Sequence, residues 1–126
     1  MKRVEISSDL GKCFVLIGES LDNWVKNLSW EKHVFITDKN LFRLYRNVFA
    51  DTPTIVIGMG EDEKKLDTVE YIYHRLLEFE ADRSTVITGF GGGIVCDITG
   101  FAASTYMRGL RFNFIPTTLL AQVDAS

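Results

Sequence analysis

The chain changes its hydrophobic period three times in the same order, from a short continuous apolar run to apolar residues spaced three and four apart. That order limits the fold more than any single motif. His33-Val34-Phe35-Ile36-Thr37 reads as a buried strand, Asp38 and Asn40 follow it, and Leu41, Leu44, Tyr45 and Val48 recur at helical spacing. Thr54-Ile55-Val56-Ile57-Gly58 repeats the strand signal, glycine turns follow at Gly58 and Gly60, and Leu66, Val69, Ile72, Leu76 and Phe79 mark an amphipathic helix. Ser84 to Thr88 is a third strand that runs into Gly89-Phe90-Gly91-Gly92-Gly93, after which Ile94, Ile98 and Phe101 share a helical face and Gly109 stops the helix. Arg111 to Ile115 supplies a fourth strand, and Pro116-Thr117-Thr118 turns the chain into a last apolar stretch, Leu119 to Val123. Strands separated by helices pair in parallel, so the expected class is α/β, a doubly wound and mostly parallel Rossmann-like sheet with helices on both faces. Before residue 30 the pattern is less regular, with Phe14 to Gly18 a strand and Val4 to Ser7 its antiparallel partner.

Composition narrows what such a sheet can serve. With 126 residues, 46% of them hydrophobic, one domain is expected. A net charge of -3 leaves no general positive field for nucleic acid or an acidic membrane surface. Cys13 and Cys96 stand far apart, outside any zinc-knuckle or disulfide spacing, and read as buried small hydrophobes in a reducing cytosol. His33 and His74 are isolated and read as structural or surface histidines. Met1-Lys2-Arg3 is followed by Glu5 and Asp9, and no apolar run reaches the roughly 20 residues of a membrane helix, so a soluble, cytoplasmic protein is expected.

The polar groups that could do chemistry fall just after the strands. Gly91 to Gly93 could admit a phosphate to the backbone N–H groups at a helix start, although Ile94 and Cys96 break the usual dinucleotide fingerprint and a sharp turn explains the glycines as well. Asp38 could accept hydrogen bonds from ribose hydroxyls; on spacing alone a helix cap is the simpler reading of both Asp38 and Asn40. Glu61 and Lys64 lie three apart in what reads as a first helical turn, where a solvated ion pair is the simpler reading. Asp97 interrupts an apolar helix and needs a partner or a ligand. Arg108 could complement a helix end or clamp an anion; Thr117 and Thr118 could cap the last helix or meet a cofactor amide; Asp124 reads as a solvated acid.

Taken together, the stretch from Gly91 through Asp97 to Arg108-Gly109, followed by Pro116-Thr117-Thr118-Leu119-Leu120-Ala121-Gln122-Val123-Asp124-Ala125-Ser126, closely resembles the 3-dehydroquinate synthases. The Gly-Glu-x-x-Lys motif of that family appears as Gly60-Glu61-Asp62-Glu63-Lys64, and its Thr-Asp strand end as Thr37-Asp38. Cys96 and Met59 stand where the family usually has Gly and often Pro. The resemblance implies an NAD-dependent carbon–oxygen lyase that converts 3-deoxy-D-arabino-heptulosonate 7-phosphate to 3-dehydroquinate and phosphate in the shikimate pathway, with a divalent metal, zinc or cobalt.

Carried over by position, the resemblance places Asp38 and Asn40 at the adenosine, Glu61 and Lys64 at the ribose and phosphate side, and Gly92 and Gly93 at the pyrophosphate. Asp97, Thr117 and Thr118 would meet the nicotinamide, and Arg108 and Asp124 the substrate. The family continues beyond Asp-Ala-Ser into a helical domain that carries the metal ligands, so residues 1–126 are expected to be the N-terminal nucleotide-binding domain, with no metal ligands of its own, inactive alone, and dimeric when full length. Other sugar-phosphate cyclases making a deoxyinosose or a valiolone, an iron-type polyol dehydrogenase and a stand-alone nucleotide-binding module are the alternatives.

Overall fold

A computed structural model describes residues 1–26 and 32–123. Two compact units divide the chain, Met1–Trp30 and Glu31–Ser126. In the first, β1 (Lys2–Ser8) and β2 (Gly11–Ile17) form an antiparallel hairpin with Lys2 opposite Ile17 and Ser8 opposite Gly11, followed by a short helix α1 (Leu21–Lys26). Gly11 closes the turn with φ 140°, a conformation open to glycine and strained for other residues. The antiparallel pairing agrees with the sequence reading; Cys13, on β2, does not, because its side chain is exposed rather than buried.

The second unit carries four parallel strands in the order β4-β3-β5-β6: β3 (His33–Asp38), β4 (Thr54–Ile57), β5 (Val86–Gly91) and β6 (Arg111–Pro116). Helices α2 (Lys39–Leu44) and α3 (Arg46–Phe49) link β3 to β4, α4 (Leu66–Glu78) links β4 to β5, and α5 (Gly93–Thr105) links β5 to β6; α6 (Leu119–Val123) follows. Strand alternation sorts the side chains onto two faces. Val34, Ile36, Ile55, Ile57 and Ile87 meet Val69, Ile72 and Leu76 of α4 and Val95, Ile98 and Ala102 of α5 in one buried cluster. On the opposite face Phe49 of α3 packs edge-on against Phe35 and Phe90 at 5.1 and 5.4 Å between ring centres. The fold is the doubly wound α/β sheet expected from the sequence. Several boundaries differ: the helix expected from Leu41 to Val48 breaks at Tyr45, which has φ -119° and ψ 36°, β5 spans Val86–Gly91 instead of Ser84–Thr88, Glu61 to Lys64 form a separate 3-10 turn instead of the start of α4, and α5 ends at Thr105, before the expected stop at Gly109.

Chain order fixes where a ligand can enter. From β3 the chain moves to β4 on one side and later returns to place β5 on the other, so the helices after β3 and β5 lie on opposite faces and the carboxyl ends of these two strands, where those helices start, flank a crevice. Asp38 ends β3 and Gly92 follows β5 at that crevice.

Candidate functional site: the carboxyl rim of the parallel sheet

After β4 the chain makes the 3-10 turn Glu61–Glu63, closed by Lys64 N donating to Glu61 O at 3.0 Å. Lys64 does not pair with Glu61. Its Nζ lies 2.7 Å from Oδ2 of Asp97, in the second turn of α5. Asp97 is exposed rather than buried in its apolar helix, so it does not need the partner that the sequence led one to expect; Lys64 reaches it from a different strand end. Both side chains keep about half their surface in water, 48% and 41%, so the pair adds no more than ~1 kcal/mol to stability. Its consequence is positional. Lys64, Lys65, Leu66 and Val69 from one side and Asp97, Ile98 and Phe101 from the other line a mainly apolar cavity of about 310 Å³, at the small end of the range for ligand sites.

The glycines from 89 to 93 divide into two kinds. A Cβ on Gly89 would lie 2.7 Å from Thr99 Oγ1, and one on Gly91 would lie 2.7 Å from Cβ of Val95; both glycines lie inside β5 and let α5 approach the sheet. These two serve packing. Gly92 is the N-cap of α5, with no side chain capping that end, and a Cβ on Gly93, its first residue, would meet nothing within 4 Å. A side chain on Gly93 would thus meet no described residue, at the positive end of a 13-residue helix. Thr117 N donates to Gly91 O at 2.9 Å, which seats the β6 turn on the glycine turn. Thr118 Oγ1 accepts from Ala121 N at 3.1 Å and caps α6. Its Cγ2 lies 3.2 Å from where a Cβ on Gly92 would stand.

Asp38 Oδ1 accepts from Leu41 N at 2.8 Å, so it is the N-cap of α2, and Asn40 Oδ1 accepts from Arg43 Nη2 at 3.0 Å. Capping occupies one carboxylate oxygen of Asp38 and leaves Oδ2 free of that duty. Burial pushes the Cys96 thiol up to about 11, the Asp97 charge adding to the effect, and Sγ faces Gly91 O at 3.7 Å. A thiol so protonated is no nucleophile at neutral pH. Arg108 lies apart from these groups, beyond the far end of α5 and on the order of 20 Å from its start by helical rise. Met107, Arg108 and Gly109 have φ 48°, 69° and 106°. Asp124 lies outside the described residues. Sequence reasoning passed over Glu63 and Thr68, joined at 3.2 Å. It also passed over a polar chain in which the buried His33 Nε2 meets the buried Thr88 Oγ1 at 2.6 Å and Thr88 Oγ1 donates to Oδ1 of the exposed Asn113. No local spacing signals either, since each links residues joined only by the fold.

Residues 54–126 match the family model described as 3-dehydroquinate synthase N-terminal. The chain belongs to the 3-dehydroquinate synthase family. It is 39% identical over 139 aligned positions to the 3-dehydroquinate synthase of Blochmanniella pennsylvanica, covering all of this chain and 38% of that protein. Against that of Pyrococcus furiosus it is 56% identical over 113 positions, covering 85% of this chain and 34% of the relative. The chain thus spans well under half the length of these synthases. Among solved structures, a 2-deoxy-scyllo-inosose synthase complexed with carbaglucose-6-phosphate, NAD+ and Co2+ superposes with TM-score 0.80 over 98% of this chain and 38% of that one, at 24% identity. A 2-epi-5-epi-valiolone synthase of Streptomyces hygroscopicus with NAD+ and Zn2+ bound gives TM-score 0.66 over 80% and 32%, at 26% identity. In this synthase-family chain no helix among the described residues is long and apolar enough to cross a membrane.

Proposed function

We propose that this chain is the NAD-binding part of an enzyme that converts 3-deoxy-D-arabino-heptulosonate 7-phosphate to 3-dehydroquinate and phosphate. The observation that supports it is the Lys64–Asp97 contact of 2.7 Å, which draws the Gly-Glu-x-x-Lys turn against α5 just below the glycine turn. The groups suit the dinucleotide. Gly92 and Gly93 would take the pyrophosphate at the start of α5, where backbone N–H groups and the helix dipole favour an anion. Asp38 Oδ2, beside the capping oxygen, would accept from the adenosine ribose with Asn40 nearby, while Glu61 and Lys64 would meet the second ribose and the phosphates. Asp97, Thr117 and Thr118 would orient the nicotinamide end, Lys64 fixing the Asp97 carboxylate.

When bound, NAD supplies a reversible hydride acceptor, so a substrate hydroxyl is oxidised and later restored within one turnover. What these residues contribute is placement. The charged pair lines a mainly apolar cavity, with Lys65 beside it. The divalent metal of the cobalt- and zinc-bound cyclases does not fit here: no three His, Cys, Asp or Glu side chains come together among the described residues. The 126 residues alone should release no phosphate from substrate with NAD and zinc. Detectable release would overturn the assignment of turnover to the larger protein. The 39–56% identity to proteins named 3-dehydroquinate synthase favours that substrate over those of the other cyclases. Lys64→Ala in the full-length enzyme should weaken NAD binding about tenfold, as loss of a charged contact does. An unchanged dissociation constant by calorimetry would count against the site.

A further inference from the structure

The turn that carries Lys64 is held from the inside. Between Glu61, Asp62, Lys64 and Lys65, all exposed, Glu63 is half-buried. Its backbone closes the turn at both ends, N donating to Gly60 O at 3.1 Å and O accepting from Lys65 N at 2.9 Å. Its side chain turns inward across Gly58, where an added Cβ would lie 2.6 Å from Cδ and 3.1 Å from Cγ of Glu63. Oε2 accepts from the buried hydroxyl of Thr68 at 3.2 Å. Thr68 is the third residue of α4, whose N-cap is Lys65, and Lys65 makes no side-chain cap. Glu63 therefore brings the acceptor and negative charge that this helix start favours. Its neighbour Lys64 points the other way, to Asp97.

We propose that Glu63 is a positioning residue for the cofactor site: seated in the space left by Gly58 and hydrogen-bonded by Thr68, its carboxylate sets the turn that aims Lys64 at Asp97. This rests on the reading of Lys64 and Asp97 as NAD contacts and gives a role to three residues, Gly58, Glu63 and Thr68, that the reading leaves without one. Glycine is needed at 58 for space alone, because its φ is not left-handed and alanine would fit the backbone. An alanine there meets the Glu63 side chain and expels it.

The test is a calorimetric NAD titration of the full-length enzyme and its variants, with kcat at saturating NAD measured alongside. Glu63→Ala and Gly58→Ala should each weaken NAD binding about three- to tenfold with kcat largely kept. Because both remove one carboxylate from one seat, the double variant should be no weaker than either single one. Glu63→Gln, which keeps the acceptor for Thr68, should bind within about twofold of the parent. A merely structural role would lower the melting temperature and leave the dissociation constant and the rescue by glutamine unmoved. If Lys64→Ala weakens binding while Glu63→Ala and Gly58→Ala do not, or if their effects add, the positioning role is wrong. If Lys64→Ala also has no effect, the cofactor reading falls and this role with it. Should Glu63→Ala fail to fold, Gly58→Ala and Thr68→Val reach the same seat from its other two sides.

Discussion

A methyl group on Gly89 would stand 2.7 Å from Oγ1 and 2.9 Å from Cβ of Thr99, and Thr99 is fully buried on α5 with no room to withdraw. Gly89→Ala should therefore cost about 1–3 kcal/mol, the usual range for overpacking a core, read as a lowered urea midpoint. Gly93 is the opposite case. Nothing lies within 4 Å of a Cβ there, and it is the first residue of a helix, so Gly93→Ala should raise stability by up to ~1 kcal/mol. If this helix start receives a pyrophosphate, the same change should weaken NAD binding in the full-length enzyme. A variant both more stable and equally tight would remove the phosphate role from Gly93. In the sequence these glycines form one run, legible as a phosphate loop or as a turn. That Gly89 and Gly91 belong to packing was not legible, because it depends on which face of β5 the following helix covers.

At the level of elements, the turn from α5 into β6 stores strain. Met107 and Arg108 both hold left-handed backbone, with Met107 at φ 48° and ψ 39° and its side chain exposed. That conformation costs a residue with a Cβ about 1 kcal/mol. Leu110 N donates to Ala103 O at 2.7 Å and Gly109 N to Tyr106 O at 2.8 Å, so the bonds at α5's end hold the turn in place. Met107→Gly should then stabilise by up to about 0.5 kcal/mol, net of the entropy glycine adds to the unfolded chain; a fall in melting temperature would show that Met107 packs against something worth more than its strain. The order of elements was legible wherever apolar period changes, from β3 through α5, because burial alone dictates those periods. The break at Tyr45 was not, since the chain there keeps helical spacing in sequence while ring packing of Tyr45 and Phe49 on Phe90, at 5.3 and 5.4 Å, decides the path. The Lys64–Asp97 pair was half legible: an acid that interrupts an apolar helix singles out Asp97, but its exposure and a partner 33 residues away are set by strand order.

At the scale of the whole four-stranded unit, a polar chain runs from the buried His33 and Thr88 out to the exposed Asn113, and its inner end must stay uncharged. His33 on β3, Thr88 on β5 and Asn113 on β6 link three adjacent strands. The Thr88 hydroxyl donates its one proton to Asn113 Oδ1, so it can only accept from His33, which fixes the neutral imidazole with its proton on Nε2. Burial lowers the His33 pKa from 6.5 to about 4. The folded protein thus binds fewer protons than the unfolded chain between those values, and stability contributed by the neutral ring is complete above pH 6.5 and lost as pH falls. The slope in that window is about 1.4 kcal/mol per pH unit, and the total loss by its lower end is up to about 3 kcal/mol. Urea midpoints measured from pH 7 to 4 should fall along that limb. His33→Gln, whose amide can still donate to Thr88 but takes up no proton, should be less stable at pH 7 and lose this limb. A parallel fall in parent and variant would place the acid sensitivity in other groups and leave His33 a packing residue only.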